Sequence, residues 1–202
     1  MNKPIWMYRE TRSGSTWLCN FLCKHLDKKH IFLDTHSRIV EHIKPNDEHA
    51  RYLFSTHHVE SIFPAKDYVD PLIIRCTRRD SFEQMLSEFF LGLTYAAVTN
   101  IFNEQDEKKF NSYLANQRIS TATEDDVKKW VITYKIKLEA WNIFSKGRKV
   151  QTIYYEDFFE GTTLEGVDLL IKFDDTSKKL PDYKETVFVN YDQIREWFIK
   201  LS

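Results

Sequence analysis

The sequence lacks a basic excess, a long apolar run and paired zinc-ligand spacings, and each absence removes a class of protein. Its net charge is −1 at pH 7, whereas a general nucleic-acid binder carries a basic excess. No apolar run approaches the length of a membrane span. Cys19 and Cys23 lie one helical turn apart, but no second Cys/His pair follows at zinc-ligand spacing. We therefore expect no nucleic-acid partner, no membrane span and no metal site.

The sequence also lacks a recognisable targeting signal and an interdomain linker. Its first six residues, Met-Asn-Lys-Pro-Ile-Trp, do not have the apolar core of a signal peptide. Together with cysteines that fit reduced thiols, this predicts a cytoplasmic protein. No internal repeat, low-complexity tract or interdomain linker interrupts the 202 residues. This length and a hydrophobic fraction of 42% predict one globular domain over residues 1–202.

Short apolar runs alternate with helical periodicity along the chain. Strands are predicted at Ile5–Tyr8, Lys29–Asp34, Arg51–Thr56, Pro71–Thr77 and Lys149–Tyr155. Helical patterns begin near Trp17, at a capping box over Ser81–Gln84, at Thr123 and after Asn190. This alternation predicts a three-layer α/β fold with a parallel central sheet flanked by helices. Residues 94–123 lose the periodicity, which predicts a helical or irregular insertion.

A hydroxyl-rich turn follows the first predicted strand, and it favours an anion site. A helix begins directly after this turn, and the N–H groups and dipole of a helix start attract negative charge. Gly14 permits a close backbone approach, Ser15 and Thr16 add hydroxyl groups, and Arg12 adds a positive charge. The alternative is an ordinary strand–turn–helix junction with a Ser/Thr cap.

The turn does not have the pattern of an ATP-binding phosphate loop. That pattern, G-x-x-x-x-G-K-[ST], requires a lysine whose ammonium reaches the terminal phosphates. Here Gly14 is followed by Ser15 and Thr16, and the position five residues before Gly14 is Arg9. An ATP-dependent P-loop phosphotransferase is therefore disfavoured.

Four short motifs, in order, resemble those of the sulfotransferases. Arg12-Ser-Gly-Ser-Thr-Trp17 is similar to the 5′-phosphosulfate loop of that family. Ser55-Thr-His57 resembles the Lys-Thr-His that ends a strand in cytosolic members, although the lysine is absent. Arg79, which crowds one strand end together with two other arginines (Arg75 and Arg78), lies eight residues before Ser87. That pair resembles the 3′-phosphate motif, and Tyr155-Glu-Asp resembles a motif that follows a late strand.

The resemblance implies a P-loop NTPase-like sulfotransferase fold and a nucleotide cofactor. The cofactor would be 3′-phosphoadenosine 5′-phosphosulfate (PAPS), with 3′-phosphoadenosine 5′-phosphate (PAP) as the product. The implied activity is sulfuryl transfer to a hydroxyl or amine of a small-molecule or glycan acceptor. The alternative that stays open is a non-catalytic module that binds a 3′-phosphoadenosine nucleotide. The residues implied to bind the cofactor are Arg12, Ser13, Gly14, Ser15, Thr16, Trp17, Arg79, Ser87 and Tyr155, with Trp17 and Tyr155 against the adenine.

The resemblance also implies the catalytic residues, and it leaves the base open. His57 would deprotonate the acceptor, since it precedes Arg79 by 22 residues, as in cytosolic members. Arg12 would neutralise the charge on the leaving phosphate oxygen. An arginine in the loop is typical of the tyrosylprotein and bacterial branches, where an acidic residue after the second strand is the base, so Asp34 is the alternative. The Arg-Lys-Gly segment of cytosolic members is missing near the C-terminus, and the lysines that could replace it are Lys178, Lys179 and Lys184.

Overall fold

The structure is a computed structural model, and it describes residues 3–33, 47–93, 108, 121–173 and 188–202. Contacts group the chain into two compact units. The first unit comprises Met1–Arg79 and Ile136–Lys172, and the second comprises Asp80–Lys135 and Phe173–Ser202. Most of the predicted insertion at residues 94–123 lies outside the described residues. The single domain over residues 1–202 stays a prediction.

Five strands of the first unit form one parallel sheet in the order β2-β3-β1-β4-β5. Their bounds are β1 (Ile5–Arg9), β2 (Lys29–Phe32), β3 (Tyr52–Thr56), β4 (Leu72–Thr77) and β5 (Val150–Tyr154). Each of these five strands falls on a predicted apolar run, with ends within two residues of the prediction. The predicted parallel α/β sheet is therefore confirmed. A separate antiparallel pair consists of β6 (Thr162–Thr163) and β7 (Leu170–Ile171).

Helices cover both faces of this sheet. Alternate residues of β1 point to opposite faces, and all five are buried. Met7 faces α1 (Ser15–Leu26), where its sulfur lies 3.6 Å from Sγ of Cys19. Tyr8 points to the other face and stacks on Trp141, with ring centroids 5.2 Å apart. Trp141 belongs to the last part of α3 (Glu124–Ser145), so the first unit has the three layers expected of a parallel sheet.

The second predicted helix begins where expected, but a different residue caps it. α2 spans Ser81–Leu93. The carboxylate of Asp80 accepts a hydrogen bond from the N–H of Glu83 at 3.0 Å, so Asp80 is the N-cap. The predicted capping box from Ser81 to Gln84 is therefore wrong by one residue. Aspartate caps a helix as well as serine does, and here the aspartate stands one position earlier.

The third predicted helix starts with the cap that the sequence predicts. Oγ1 of Thr123 accepts a hydrogen bond from the N–H of Asp126 at 3.2 Å, and the Asp126 carboxylate accepts one from the N–H of Thr123 at 2.9 Å. This reciprocal pair satisfies two N–H groups at the start of α3. Two further α-helices among the described residues are α4 (Asp157–Glu160) and α5 (Tyr191–Leu201), and 3-10 helices span Asp47–Arg51 and Val59–Asp67.

The second unit has its own apolar core, built from α2, the first part of α3 and α5. Asn190 donates a hydrogen bond from Nδ2 to the carbonyl of Ala122 at 2.9 Å, which joins the start of α5 to the residues before α3. The buried members of this core are Met85, Leu86, Phe90, Val127, Val131, Phe188 and Ile194. Within the described ranges, no helix is both long and apolar enough to cross a membrane.

Candidate anion-binding and catalytic site

The predicted site residues of the first unit follow the strands at one edge of the sheet. β3, β1, β4 and β5 are neighbours and run parallel, so their carboxyl ends meet at that edge. His57 follows β3, Arg12 lies in the loop after β1, and Arg79 and Tyr155 follow β4 and β5. The prediction that Arg12, His57 and Arg79 lie just past strand ends is confirmed. Because β3 and β4 flank β1 on opposite sides, the loop after β1 lies where parallel sheets bind ligands.

The loop after β1 has an unusual and well-anchored backbone. Arg12 and Gly14 have φ angles of 60° and 70°, whereas the φ of Ser13 between them is not positive. Alternating signs of φ in successive residues are typical of a concave nest of N–H groups that can hold an anion. Oγ of Ser13 donates to the carbonyl of Glu10 at 2.6 Å, and Nε of Arg78 donates to the carbonyl of Arg12 at 2.6 Å. The loop is therefore held in this shape before any ligand binds.

Gly14 is required at its position for two independent reasons. Its φ of 70° lies in the left-handed region, which side chains with a Cβ rarely adopt. A Cβ on Gly14 would also lie 2.7 Å from Cδ2 of Tyr155 and 3.1 Å from Cε2 of Phe158. The glycine lets the start of α1 approach the aromatic residues that follow β5.

Arg9, the last residue of β1, is buried beneath the start of α1. Its side chain belongs to the face of the sheet that Met7 presents to α1, since residues two apart in a strand share a face. The guanidinium donates to three hydroxyl oxygens: Nε to Ser15 at 3.2 Å, Nη1 to Ser55 at 3.3 Å and Nη2 to Thr16 at 2.7 Å. Arg9 therefore joins β1, β3 and the first turn of α1 through one cation.

His57 lies beside Arg9 and is held in one tautomer. Its Nδ1 is 2.6 Å from the carbonyl oxygen of Arg9, and because a carbonyl only accepts, Nδ1 carries the proton. Nε2 is then the basic nitrogen, and no described residue hydrogen-bonds it. Burial lowers the pKa of His57, and the nearby cations Arg9 and Lys137 lower it further, against the opposing effect of the backbone hydrogen bond. His57 is therefore neutral and able to accept a proton near neutral pH.

A second buried charge network lies on the opposite face of the sheet. Oε1 of Glu10 accepts a hydrogen bond from Nε of Arg75 at 2.7 Å, and Oε2 accepts one from Oγ1 of Thr77 at 2.6 Å. The Arg75 guanidinium also lies 5.9 Å from the ring centroid of Trp141. This network neutralises Arg75 and fixes the end of β1 against β4, so Arg75 has a structural role.

The two residues expected to lie against an adenine, Trp17 and Tyr155, both pack on Phe158. Their ring centroids lie 5.2 Å and 6.1 Å from that of Phe158. Trp17 also stacks on Phe21, with centroids 4.9 Å apart. The Arg78 guanidinium lies over the Tyr155 ring at 4.3 Å from its centroid. Together these rings form an aromatic cluster beside the candidate anion loop (residues 10–14, after β1).

Arg79 points to the residues that follow β5. Its Nη2 lies 2.5 Å from Oδ1 of Asp157, and its guanidinium is 4.5 Å from the ring centroid of Tyr154. Its backbone N–H donates to Oε2 of Glu156 at 3.1 Å. The Arg79 side chain is 54% exposed, so a phosphate can reach it but must compete with Asp157.

The remaining predicted site residues belong to the second unit or lie outside the described residues. Ser87 is buried on α2, in the second unit. Asp34, the alternative base, lies outside the described residues, and so do Lys178, Lys179 and Lys184. Within the part of the chain that the structure describes, no three His, Cys, Asp or Glu side chains come together to hold a metal.

Three charged residues of the site were not predicted as such from the sequence. In the sequence, Arg9 is only a mismatch to the ATP-binding pattern, and no motif includes Glu10. Arg78 was counted in a cluster with Arg75 and Arg79, although each of the three arginines has different partners. Strand alternation could have identified Arg9, because it shares the parity of the buried residues Ile5 and Met7.

Comparisons of the chain with protein-family models, with curated proteins and with solved structures found no match. What the site does is therefore inferred from its own residues and from the resemblance of its motifs.

Proposed function

We propose that this protein transfers a sulfuryl group from PAPS to a hydroxyl or amine of a small-molecule or glycan acceptor and releases PAP. One observation carries the proposal above the others. His57, with its tautomer fixed by the carbonyl of Arg9, lies beside a loop whose backbone suits an anion. Group transfer to a hydroxyl needs both a base for the proton and a cradle for the charge that develops.

In the proposed reaction His57 accepts the proton of the acceptor on Nε2. PAPS supplies the sulfuryl group: a bond forms between the acceptor oxygen or nitrogen and sulfur, while the bond from sulfur to the bridging phosphate oxygen breaks and leaves its electron pair on PAP. The lowered pKa of His57 keeps its base form populated near neutral pH. A base in this position contributes about 10²–10⁴ to the rate.

Arg12 and the loop around it have the second role. Negative charge on the bridging phosphate oxygen grows toward the transition state, so a fixed cation and preorganised N–H donors stabilise that state more than the ground state. The hydrogen bonds from Ser13 to Glu10 and from Arg78 to Arg12 support this role, because they keep the loop in place without reorganisation.

The nucleotide part of PAPS would lie along the loops that follow β4 and β5. The aromatic cluster that includes Trp17 and Tyr155 would provide a surface for the adenine, and Arg79 would bind the 3′-phosphate. The strand order with β1 at the centre and the loop after it is compatible with a P-loop-like sulfotransferase fold. These assignments come from the resemblance and are part of the proposal.

Two measurements on the full chain test the proposal. The first is calorimetry with PAP, and the second is a screen for transfer of labelled sulfate from PAPS to phenols, alcohols, amines and sugars. We expect PAP to bind and at least one acceptor class to be labelled. Binding without transfer to any class would instead favour the non-catalytic module, and magnesium-dependent ATP turnover would favour a phosphotransferase.

A further inference from the structure

Arg9 carries a buried charge that no described carboxylate balances. Its residue exposure is 7%, and its three hydrogen-bond acceptors are the neutral hydroxyls of Ser15, Thr16 and Ser55. A buried cation is costly unless an anion pairs with it. By contrast, Arg75, on the opposite face, is paired with the carboxylate of Glu10. The Arg9 guanidinium also lies 5.4 Å from the centroid of the Phe32 ring, but no described anion balances its charge.

Arg9 also has unused donors that match such an anion. A guanidinium has five N–H donors, and the hydroxyls take one from Nε, one from Nη1 and one from Nη2. One N–H on each terminal nitrogen therefore has no hydrogen-bond partner among the described residues. Two donors on a planar cation suit the oxygens of a phosphate or sulfate group.

The position of Arg9 ties this charge to the rest of the site. Two of its acceptors, Ser15 and Thr16, belong to the first turn of α1 directly after the anion loop, and its carbonyl holds His57. An anion bound to Arg9 would therefore lie between the loop and the base. A helix start alone would be weak support for a site, but here a buried, charge-unbalanced side chain lies against it.

We propose that Arg9 is a second anion-binding residue of this site and donates its two remaining N–H groups to the 5′-phosphosulfate of PAPS or the 5′-phosphate of PAP. This inference rests on the proposed function for the identity of the anion. Ser55 stands where the resembling motif has a lysine, and it is one of the acceptors of Arg9. The guanidinium of Arg9 thus contacts Ser55, the position at which the resembling motif has a lysine on β3.

The competing interpretation is that Arg9 only holds the loop to the sheet through the three hydroxyls. Two nucleotides separate these roles: PAP, which has a 5′-phosphate, and adenosine 3′-phosphate, which does not. A purely structural arginine would affect the binding of both equally. An arginine that contacts the 5′-phosphate would affect PAP alone.

The experiment is calorimetry of wild type, Arg9→Gln and Arg9→Lys with PAP, adenosine 3′-phosphate and inorganic sulfate. Arg51→Gln is the matched control, because it removes the same charge from an exposed residue before the amino end of β3. We expect Arg9→Gln to weaken PAP binding by about tenfold or more, since a charge-assisted hydrogen bond is lost. Adenosine 3′-phosphate should bind within about twofold of wild type, Arg9→Lys should be intermediate, and Arg51→Gln should be unchanged. Equal losses for both nucleotides, or no loss, would overturn the inference.

The inorganic sulfate separates this inference from the proposed function. One outcome is that the wild type binds sulfate but not PAP, and that Arg9→Gln abolishes the sulfate binding. This result would reject the proposed function but support the anion site at Arg9. Absence of binding of both PAP and sulfate would reject both.

A measurement on the wild type covers the case in which Arg9→Gln fails to fold. In ¹⁵N-arginine-labelled protein, the side-chain resonance that is absent from Arg9→Lys should shift on saturation with PAP and stay in place with adenosine 3′-phosphate. A resonance that PAP leaves unshifted would overturn the inference.

Discussion

The carbonyl oxygen of Arg9 accepts a hydrogen bond from Nδ1 of His57 at 2.6 Å, so the last residue of β1 orients the histidine that follows β3. The same arginine donates to Ser15 and Thr16 at the start of α1. Arg9 thus connects His57 to the start of α1, directly after the loop that follows β1. A displacement of β1 would therefore move His57 and the start of α1 together. This link gives a physical reason for an arginine at the end of a strand whose other residues are apolar.

The lowered pKa of His57 predicts how stability depends on pH. In the unfolded chain this group binds a proton near pH 6.5, whereas the folded state binds it only at lower pH because of burial and the charge of Arg9. The unfolded state therefore holds more protons in this window, and the free energy of unfolding rises with pH up to about 6.5 and then levels off. His30, whose pKa burial and Arg9 also lower, adds to the same slope.

Urea unfolding of wild type and His57→Asn from about pH 5 to 7.5 checks this dependence. The slope of stability against pH should be smaller in His57→Asn than in wild type. Identical slopes would show that the folded protein does not resist protonation of His57.

We predict that replacing Gly14 by alanine costs more stability than replacing Gly147, although the two glycines have similar φ angles. Gly14→Ala should destabilise by about 2–5 kcal/mol, which combines left-handed strain of about 1–2 kcal/mol with a steric clash of about 1–3 kcal/mol against Tyr155. Gly147→Ala is the control: Gly147 has φ 74°, and a Cβ there would meet nothing within 4 Å. It should cost only the strain. Denaturant unfolding measures both, and equal losses would mean that Gly14 is not in close contact with Tyr155.

Arg12 predicts an effect on the chemical step rather than on affinity. Arg12→Ala should lower the maximal rate of transfer more than it weakens PAP binding, because charge on the leaving oxygen is larger in the transition state. Steady-state kinetics with a labelled acceptor and calorimetry with PAP give the two quantities. An unchanged maximal rate with a raised Michaelis constant would assign Arg12 to binding only.

Arg79 predicts selective recognition of the 3′-phosphate. Arg79→Ala should weaken the binding of PAP by roughly tenfold or more, whereas the binding of adenosine 5′-phosphate should change little. Asp157→Asn should strengthen PAP binding, by no more than about fivefold, because the 3′-phosphate no longer competes with an exposed ion pair. Calorimetry with the two nucleotides measures these effects, and equal losses in Arg79→Ala would indicate a structural arginine.

The sequence was sufficient to predict the five strands of the parallel sheet and the position of the loop after β1. Apolar runs such as Pro71–Thr77 are long enough for only one buried strand, and β4 formed within one residue of that prediction. Caps were less certain, because neighbouring residues such as Asp80 and Ser81 are equally good caps. The local sequence pattern was thus sufficient to show where these strands and helices form.

The partners of the charged residues could not be predicted in this way. Glu10 meets Arg75 only because β1 and β4 are neighbours in a register that aligns Tyr8 with Arg75. Arg9 meets Ser55 only because β3 lies on the other side of β1. Strand order and register are properties of the whole sheet and cannot be read from one segment. For this reason Arg75, Arg78 and Arg79, which are clustered in the sequence, each have a different partner in the structure.

The rate at which His57→Ala transfers labelled sulfate from PAPS, compared with wild type and His58→Ala, tests the proposed mechanism most directly. His58 is the next residue in the chain and carries the same side chain, so His58→Ala is a matched control for the loss of an imidazole. We predict that His57→Ala loses about 10²–10⁴ in rate with PAP affinity intact, that His58→Ala retains the wild-type rate, and that Asp34→Ala is milder than His57→Ala. Transfer by His57→Ala at the wild-type rate, or a wild type that labels no acceptor class, would contradict the proposed role of His57.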